Sequence, residues 1–259
     1  MRHPTACVEP GAVLGEGCSL GPFAVVERGA VLGPGCVLAA HAIVRGSARL
    51  GAKVKVDSFA VVGGDPQDLG FDPSTESLVE IGEGSVLREH VTVHRATTPG
   101  GSTRLGAGCL LMAGAHVAHD CQVGDRVILA NGCMLGGHVE VGNQAFVSGG
   151  VAVHQFCRIG AGSLTSGNAV LTEDLAPQLL AHGRNAVAGL NLVGLRRRGV
   201  PSEAIAELRR AYHIVFAPGV SCATQAQTAL ATGTYASPEA LAFLGFFLGG
   251  KRGRFACPS

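Results

Sequence analysis

The chain contains no tryptophan, and its aromatic share is only 5%. Globular cores usually lean on large rings, so this core must use small aliphatic side chains and close backbone approach. Charge is sparse: Asp, Glu, Lys and Arg make up 15% and balance to a net +1. That balance favours neither nucleic acid nor a charged membrane surface as a partner. Long apolar runs are missing as well. Leu241–Leu248, the longest near the C-terminus, falls well short of the ~20 residues a spanning helix needs, so no integral membrane segment is expected. Met1-Arg2-His3-Pro4 leads into Gly-rich sequence without an apolar signal core. The expectation is a cytoplasmic, reduced protein, in which nine cysteines do not imply disulfides.

What the sequence does have is glycine, 39 residues of it, and a period of six. From Val8 an aliphatic residue recurs every sixth position to Val62. The pattern resumes over Ile81, Leu87 and Val93, and again from Leu105 to Leu171. Of these 25 hexads, 24 open on Val, Ile or Leu, with Thr165 the exception. The second hexad position is often Gly, attributed here to the backbone freedom of a tight corner. The fifth position is small, and it holds Cys18, Cys36, Cys109, Cys121, Cys133 and Cys157. These six read as core filler, because a buried free cysteine behaves as a small hydrophobe.

A hexad repeat is the signature of a parallel β-helix. Here it resembles the left-handed β-helix of hexapeptide-repeat acyltransferases, in which three hexads make one triangular coil. The handedness comes from that resemblance. The expected fold is all-β repeat with an α-helical C-terminal extension. Residues 1–177 form the β-helix, with loop insertions near 64–80 and 99–104. Residues 178–259 form a mainly helical unit that caps the prism. Within it, Ser202–Phe216 carries Ile205, Leu208, Tyr212 and Val215 on one helical stripe, with Ser202 as N-cap. Ser237-Pro238-Glu239 opens a second helix with Leu241, Leu244 and Leu248 on its apolar face.

The chemistry is sought at Ala115–Cys121, A-H-V-A-H-D-C. Eighteen residues after His119 comes Gly137, and thirty-six after comes Gln155, with His138 and His154 as their neighbours. The pitch therefore stacks a polar column on one face of three successive coils. Two chemistries fit. One is a metal held by histidines, as in the hexapeptide-repeat carbonic anhydrases. The other is general base catalysis by His119, oriented by Asp120. Neighbours on an ideal strand point to opposite faces, so the His119–Asp120 pair requires a corner. His116 is expected at the preceding corner, and His41 at the surface.

Longer runs are more specific. G-G-D-P-Q-D-L, V-T-V-H-R-A-T, L-L-M-A-G-A-H-V-A-H-D-C, V-I-L-A-N, G-G-H-V-E-V, A-V-H-Q-F-C-R-I-G-A and G-L-R-R-R-G span essentially the whole chain. Together they resemble the UDP-N-acetylglucosamine O-acyltransferase family that begins lipid A synthesis. The resemblance implies that His119 takes the proton of the sugar 3-hydroxyl, which attacks the thioester of a 3-hydroxyacyl-acyl carrier protein. Asp120 would hold His119, and the Gly137 N–H would stabilise the oxyanion. Gln67, Asp68, His94, His116, His138, His154 and Gln155 would line the sugar-nucleotide pocket. Asn191, Arg197 and Arg198 would reach the nucleotide, and the basic run 196–198 also suits an acidic carrier protein. Gly167 matches a position that sets acyl length, with room for a longer chain. The family works as a homotrimer with sites between subunits, and the resemblance implies no cofactor and no metal.

Two positions depart from the family pattern. Gly70 stands where a Lys is usual, and Val193 where an acidic residue is frequent. Both bear on the acceptor, so transfer to the 3-amino group of a UDP-diamino sugar stays open. A metal-dependent hydratase or an inactive trimeric scaffold remain the readings from other classes.

Overall fold

The computed structural model describes residues 1–250 and 253–258; positions 251–252 and 259 of the expected C-terminal unit lie outside the described residues. Twenty-five short strands, one per hexad, run from Cys7–Val8 to Val170–Leu171. They pair in parallel with their counterparts one coil on, as Val8 does with Val26 and Val117 with Leu135. The result is a left-handed β-helix with three flat faces. Face one has nine strands, from Cys7–Val8 to Val170–Leu171. Face two has eight, from Val13–Leu14 to Arg158–Ile159. Face three begins at Ser19–Leu20 and has eleven, including three from the C-terminal region.

The hexad-opening residues all point inward. Every one is buried except half-buried Val8 and Leu14, which lie in the first coil where no turn precedes them. Burying each Val or Leu contributes about 1.5–3 kcal/mol, so the column of aliphatics supplies the stability that aromatics supply elsewhere. Five of the six fifth-position cysteines are buried, and Cys18 is half-buried. Several thiols donate to carbonyls further along the chain: Cys36 to Gly51, Cys109 to Gly124 and Cys121 to Gly136, at 3.1–3.2 Å. Burial pushes the Cys121 and Cys133 thiols up to about 12. They are core filler, not nucleophiles.

The corner chemistry differs from the sequence expectation. Second-position glycines such as Gly15, Gly33 and Gly136 do not take left-handed angles. A Cβ there would lie 2.5–2.8 Å from the backbone of the next coil. Their role is close approach between stacked coils. The left-handed residue is the fourth of the hexad, and it is frequently not Gly: Phe23, His41, Phe59, Asp120, His138 and Phe156 all have φ of 57–65°. Ring stacking accompanies that strained geometry along one edge, where Phe23, exposed His41, Phe59 and His90 stack at 5.1–5.2 Å.

Both insertions rise from the edge where face one turns into face two. The first occupies 65–77, between strands Val61–Gly64 and Leu78–Ile81. The second occupies 95–101 and ends earlier than the sequence suggested, because Ser102–Leu105 pairs with Leu78–Ile81 as a full strand. Beyond Pro177 the sheet continues. Leu179–His182 pairs in parallel with Leu164–Thr165, then antiparallel with Ala186–Leu190.

Among the described residues four helices follow: α1 (Leu192–Arg197), α2 (Ser202–Val215), α3 (Cys222–Ala231) and α4 (Pro238–Phe246). The cap of α2 is Pro201, which makes no side-chain cap bond, so Ser202 is the first helical residue and not the N-cap. Ile205, Leu208, Ala211 and Val215 form its buried stripe, with Tyr212 half-buried. Ser237 caps α4 through the Ala240 N–H as expected. The buried face of α4 is Ala240, Phe243 and Leu244; Leu241 and Leu248 are exposed, 40% and 53%. The edge-to-face rings Phe216, Phe243 and Phe247 decide which side of α4 turns inward. No helix among the described residues is long and apolar enough to cross a membrane.

Candidate active site

His119 and Asp120 lie at the corner between strand His116–Val117 of face one and strand Gln122–Val123 of face two. Asp120 occupies the left-handed fourth position, φ 60°. That turn brings two adjacent side chains to one side, and His119 Nδ1 lies 2.8 Å from Asp120 Oδ2. The backbone N–H of Asp120 donates to the buried Thr103 hydroxyl at 2.8 Å. Thr97, on the second loop, donates both its hydroxyl (2.7 Å) and its N–H (3.1 Å) to the same Asp120 oxygen. Burial raises the Asp120 carboxyl, but the Thr97 and His119 hydrogen bonds outweigh it and hold the group below its ordinary value. Asp120 is therefore ionised at neutral pH. Thr97 and Thr103 were missed as site residues, although Thr97 closes the quoted run V-T-V-H-R-A-T; their partners are set by the fold alone.

Gly137 is the floor beneath His119. A Cβ at position 137 would lie 2.5 Å from His119 Cε1 and 2.7 Å from Nε2. The Gly137 N–H donates to no acceptor among the described residues, while its carbonyl accepts from the Phe156 N–H at 2.9 Å. His138 sits beside this pair, its ring edge-on to His119 at 5.3 Å and stacked on Phe156 at 4.5 Å. Its Nε2 is 3.7 Å from Asp120 Oδ2. His119, Asp120 and His138 offer ligand atoms within 4.8 Å of one another, a spacing compatible with a metal ion. His154 and Gln155 follow one coil on, exposed, with His154 Nδ1 3.0 Å from its neighbour's carbonyl.

The other face-one histidines are strand residues. His116 opens a strand and does not occupy a corner, because its position precedes the inward-pointing Val117. Its Nδ1 shares a hydrogen bond with Thr92 Oγ1 at 2.7 Å, and its ring meets His94 edge-on at 4.9 Å. Burial first, then the neighbouring imidazoles, pushes His94 down to about 4; burial lowers His116 too. His94 Nδ1 is a buried side-chain nitrogen with no hydrogen-bond partner among the described residues. An unpaired buried nitrogen is costly.

Of the remaining sequence-picked residues, those of the first loop share this edge and the others lie on the other two. Gln67, Asp68 and Gly70 are exposed on the first loop, where Asp68 accepts from the Gly70 N–H at 2.9 Å. Asn191 caps α1 through Gly194 and donates to the Gly162 carbonyl. Arg198 donates to Gln178, and Arg197 is exposed. Gly162 and Gln178 belong to the edge between faces two and three. Gly167, exposed, lies on the third edge, with the Gly149 carbonyl 3.6 Å from where its Cβ would be. The candidate residues are thus divided among the three edges of the prism.

Residues 174–255 match the family described as UDP N-acetylglucosamine O-acyltransferase, domain 2, and residues 11–46 and 102–137 match the bacterial transferase hexapeptide repeat. An acyl-[acyl-carrier-protein]–UDP-N-acetylglucosamine O-acyltransferase from Anaeromyxobacter dehalogenans is 45% identical over 253 residues, covering 97% of this chain and 98% of that relative. One from Alkalilimnicola ehrlichii is 50% identical over 218 residues, 83% and 84% of the two chains. The solved UDP-N-acetylglucosamine acyltransferase from Bacteroides fragilis superposes with a TM-score of 0.93 at 35% identity, over 98% of this chain and all of that one. The enzyme from Campylobacter jejuni gives 0.92 at 34%, over the full length of both. The chain belongs to the acyl-[acyl-carrier-protein]–UDP-N-acetylglucosamine O-acyltransferase family and is an acyltransferase.

Proposed function

We propose that the protein transfers a (3R)-3-hydroxyacyl group from acyl carrier protein to the glucosamine 3-position of UDP-N-acetylglucosamine, the first step of lipid A biosynthesis, with His119 as general base. The observation that carries this reading is the stacking of His119 on Gly137 with its Nδ1 held by Asp120. With Nδ1–H donated to the carboxylate, Nε2 is the basic nitrogen. Nε2 takes the proton of the sugar 3-hydroxyl as that oxygen bonds to the thioester carbon. Charge develops on the former carbonyl oxygen, and the Gly137 N–H is a preorganised donor for it. Collapse breaks the carbon–sulfur bond, and the carrier thiolate takes the proton back from the imidazolium.

His94, His116, His138, His154 and Gln155 line the acceptor pocket in this reading, together with Gln67 and Asp68 of the first loop. Asn191, Arg197 and Arg198 reach the nucleotide, exposed Arg196 and Arg197 attract the acidic carrier protein, and Gly167 borders the acyl chain. Division of these groups among three edges supports a homotrimer, in which an edge of one prism completes the site on another. So does the row Val86, Leu110, Ile128, Phe146 and Leu164, which lines face three half-exposed. Five of the nine cysteines are buried as core filler, a use of cysteine that suits a reduced, cytoplasmic setting.

Gly70 and Val193 favour keeping the 3-amino analogue of the sugar as an alternative acceptor. The His119–Asp120–His138 group favours one reading of another class, a metal-dependent hydratase. The test offers purified protein a 3-hydroxyacyl carrier protein with either UDP-sugar and measures bound zinc. Transfer to one sugar without stoichiometric zinc is expected; transfer to neither, or one zinc per chain needed for activity, would overturn the reading.

A further inference from the structure

We propose that Thr97 is a positioning residue, which assigns the Asp120 carboxylate to His119 and ties the base to the first loop. The proposal rests on the reading of His119 as base. Asp120 Oδ2 faces two imidazoles, His119 Nδ1 at 2.8 Å and His138 Nε2 at 3.7 Å. The first distance is a hydrogen bond and the second is too long for one. Rotation of the carboxylate about its side-chain torsion would redistribute it between the two rings. Thr97 opposes that rotation with two donors on the same oxygen, the hydroxyl at 2.7 Å and the N–H at 3.1 Å. Thr103 fixes only the Asp120 backbone, through its N–H, so Thr97 is the residue that acts on the carboxylate itself.

Thr97 is in turn held by the first loop. Ala96, its neighbour, accepts a hydrogen bond from the Ser77 hydroxyl. Arg95 donates to Asp65 and to the carbonyls of Pro73 and Thr75, with its guanidinium 4.8 Å from the Phe71 ring centre. The Gly100 N–H donates to Glu76. Loops 65–77 and 95–101 therefore form one clamped unit whose contact with the base pair runs through Thr97. Any displacement of the first loop would reach the carboxylate by that route.

The experiment compares Thr97→Val, which keeps the shape and removes the hydroxyl, with Thr97→Ser, which keeps the hydroxyl. Because the Thr97 N–H remains in both, the expected loss is partial. Thr97→Val lowers kcat about tenfold, with KM for both substrates within about twofold of wild type and the melting temperature unchanged; Thr97→Ser keeps near wild-type kcat. Thr97→Ala carries the same test if the valine variant folds poorly. Wild-type kcat in Thr97→Val, equal losses in the Ser and Val variants, or a rise in KM at unchanged kcat would each overturn the proposal. His119→Ala, run in parallel, separates the two ideas. If it is inactive while Thr97→Val is normal, only the role of Thr97 fails; if it keeps its rate, the base reading fails first.

Discussion

Replacing Gly137 by alanine separates the chemistry of this edge from its architecture. The new Cβ would lie 2.5 Å from His119 Cε1, whereas carbon atoms rest at about 3.5 Å or more. The ring must therefore withdraw by about 1 Å. Its bond to Asp120, 2.8 Å in the native protein, then lengthens beyond hydrogen-bond range. A misplacement of that size costs about 10²-fold in rate, equivalent to about 2.7 kcal/mol of transition-state stabilisation. The fold is spared, because the atoms in the way belong to a side chain that can move, and Gly137 does not hold a left-handed φ. Gly136→Ala is the contrasting variant. Its Cβ would meet Gln155 N at 2.8 Å and Val153 O at 3.0 Å, backbone of the next coil that cannot withdraw without distorting the stack. Acyl-transfer assays paired with thermal melts should give a folded, slow Gly137→Ala protein and a destabilised Gly136→Ala protein. A Gly137→Ala enzyme with wild-type kcat would refute the placement of the base above that residue.

His94 provides a pH test of stability. Burial holds the folded imidazole at about 4, against about 6.5 in the unfolded chain, so the unfolded state binds more protons between those values and stability falls as pH falls through that window. Between pH 7.5 and 5 the loss amounts to about 2 kcal/mol, read from urea midpoints, and His94→Asn flattens the curve; parallel slopes for the two proteins would contradict it. At Gly70, where a Cβ would meet only Asp68 Oδ1 at 3.5 Å, Gly70→Lys fits without strain. Its ammonium should repel a protonated 3-amino group and shift the kcat/KM ratio toward UDP-N-acetylglucosamine by about tenfold or more, since a tenfold ratio needs only about 1.4 kcal/mol. Gly167→Met should move acyl preference to shorter chains at constant melting temperature, checked with carrier proteins bearing graded chain lengths.

The prism was legible because its inward positions repeat strictly, so Val8 through Leu171 announce themselves whatever the corners do. The corners were less legible. Gly33 and Gly136 look alike with any turn glycine, yet they serve close packing, while the left-handed position is filled by Phe23, His41 or Asp120. Spacing placed Gly137 one coil from His119, and the structure stacks the two. It assigned His138 to the same column, although His138 follows Asp120 in the adjacent one. Thr97 could not be found from spacing: a loop brings it to Asp120, and loop paths carry no period. The exposed Leu241 and Leu248 misled for a related reason, since the side of α4 that turns inward depends on the Phe216, Phe243 and Phe247 rings.

The most direct test of the account is the rate of acyl transfer by His119→Ala, measured with 3-hydroxyacyl carrier protein and whichever UDP-sugar the wild type accepts. The account predicts a folded protein whose kcat has fallen at least 10²-fold, the lower end of what a positioned general base supplies. A His119→Ala enzyme that turns over at the wild-type rate would contradict it.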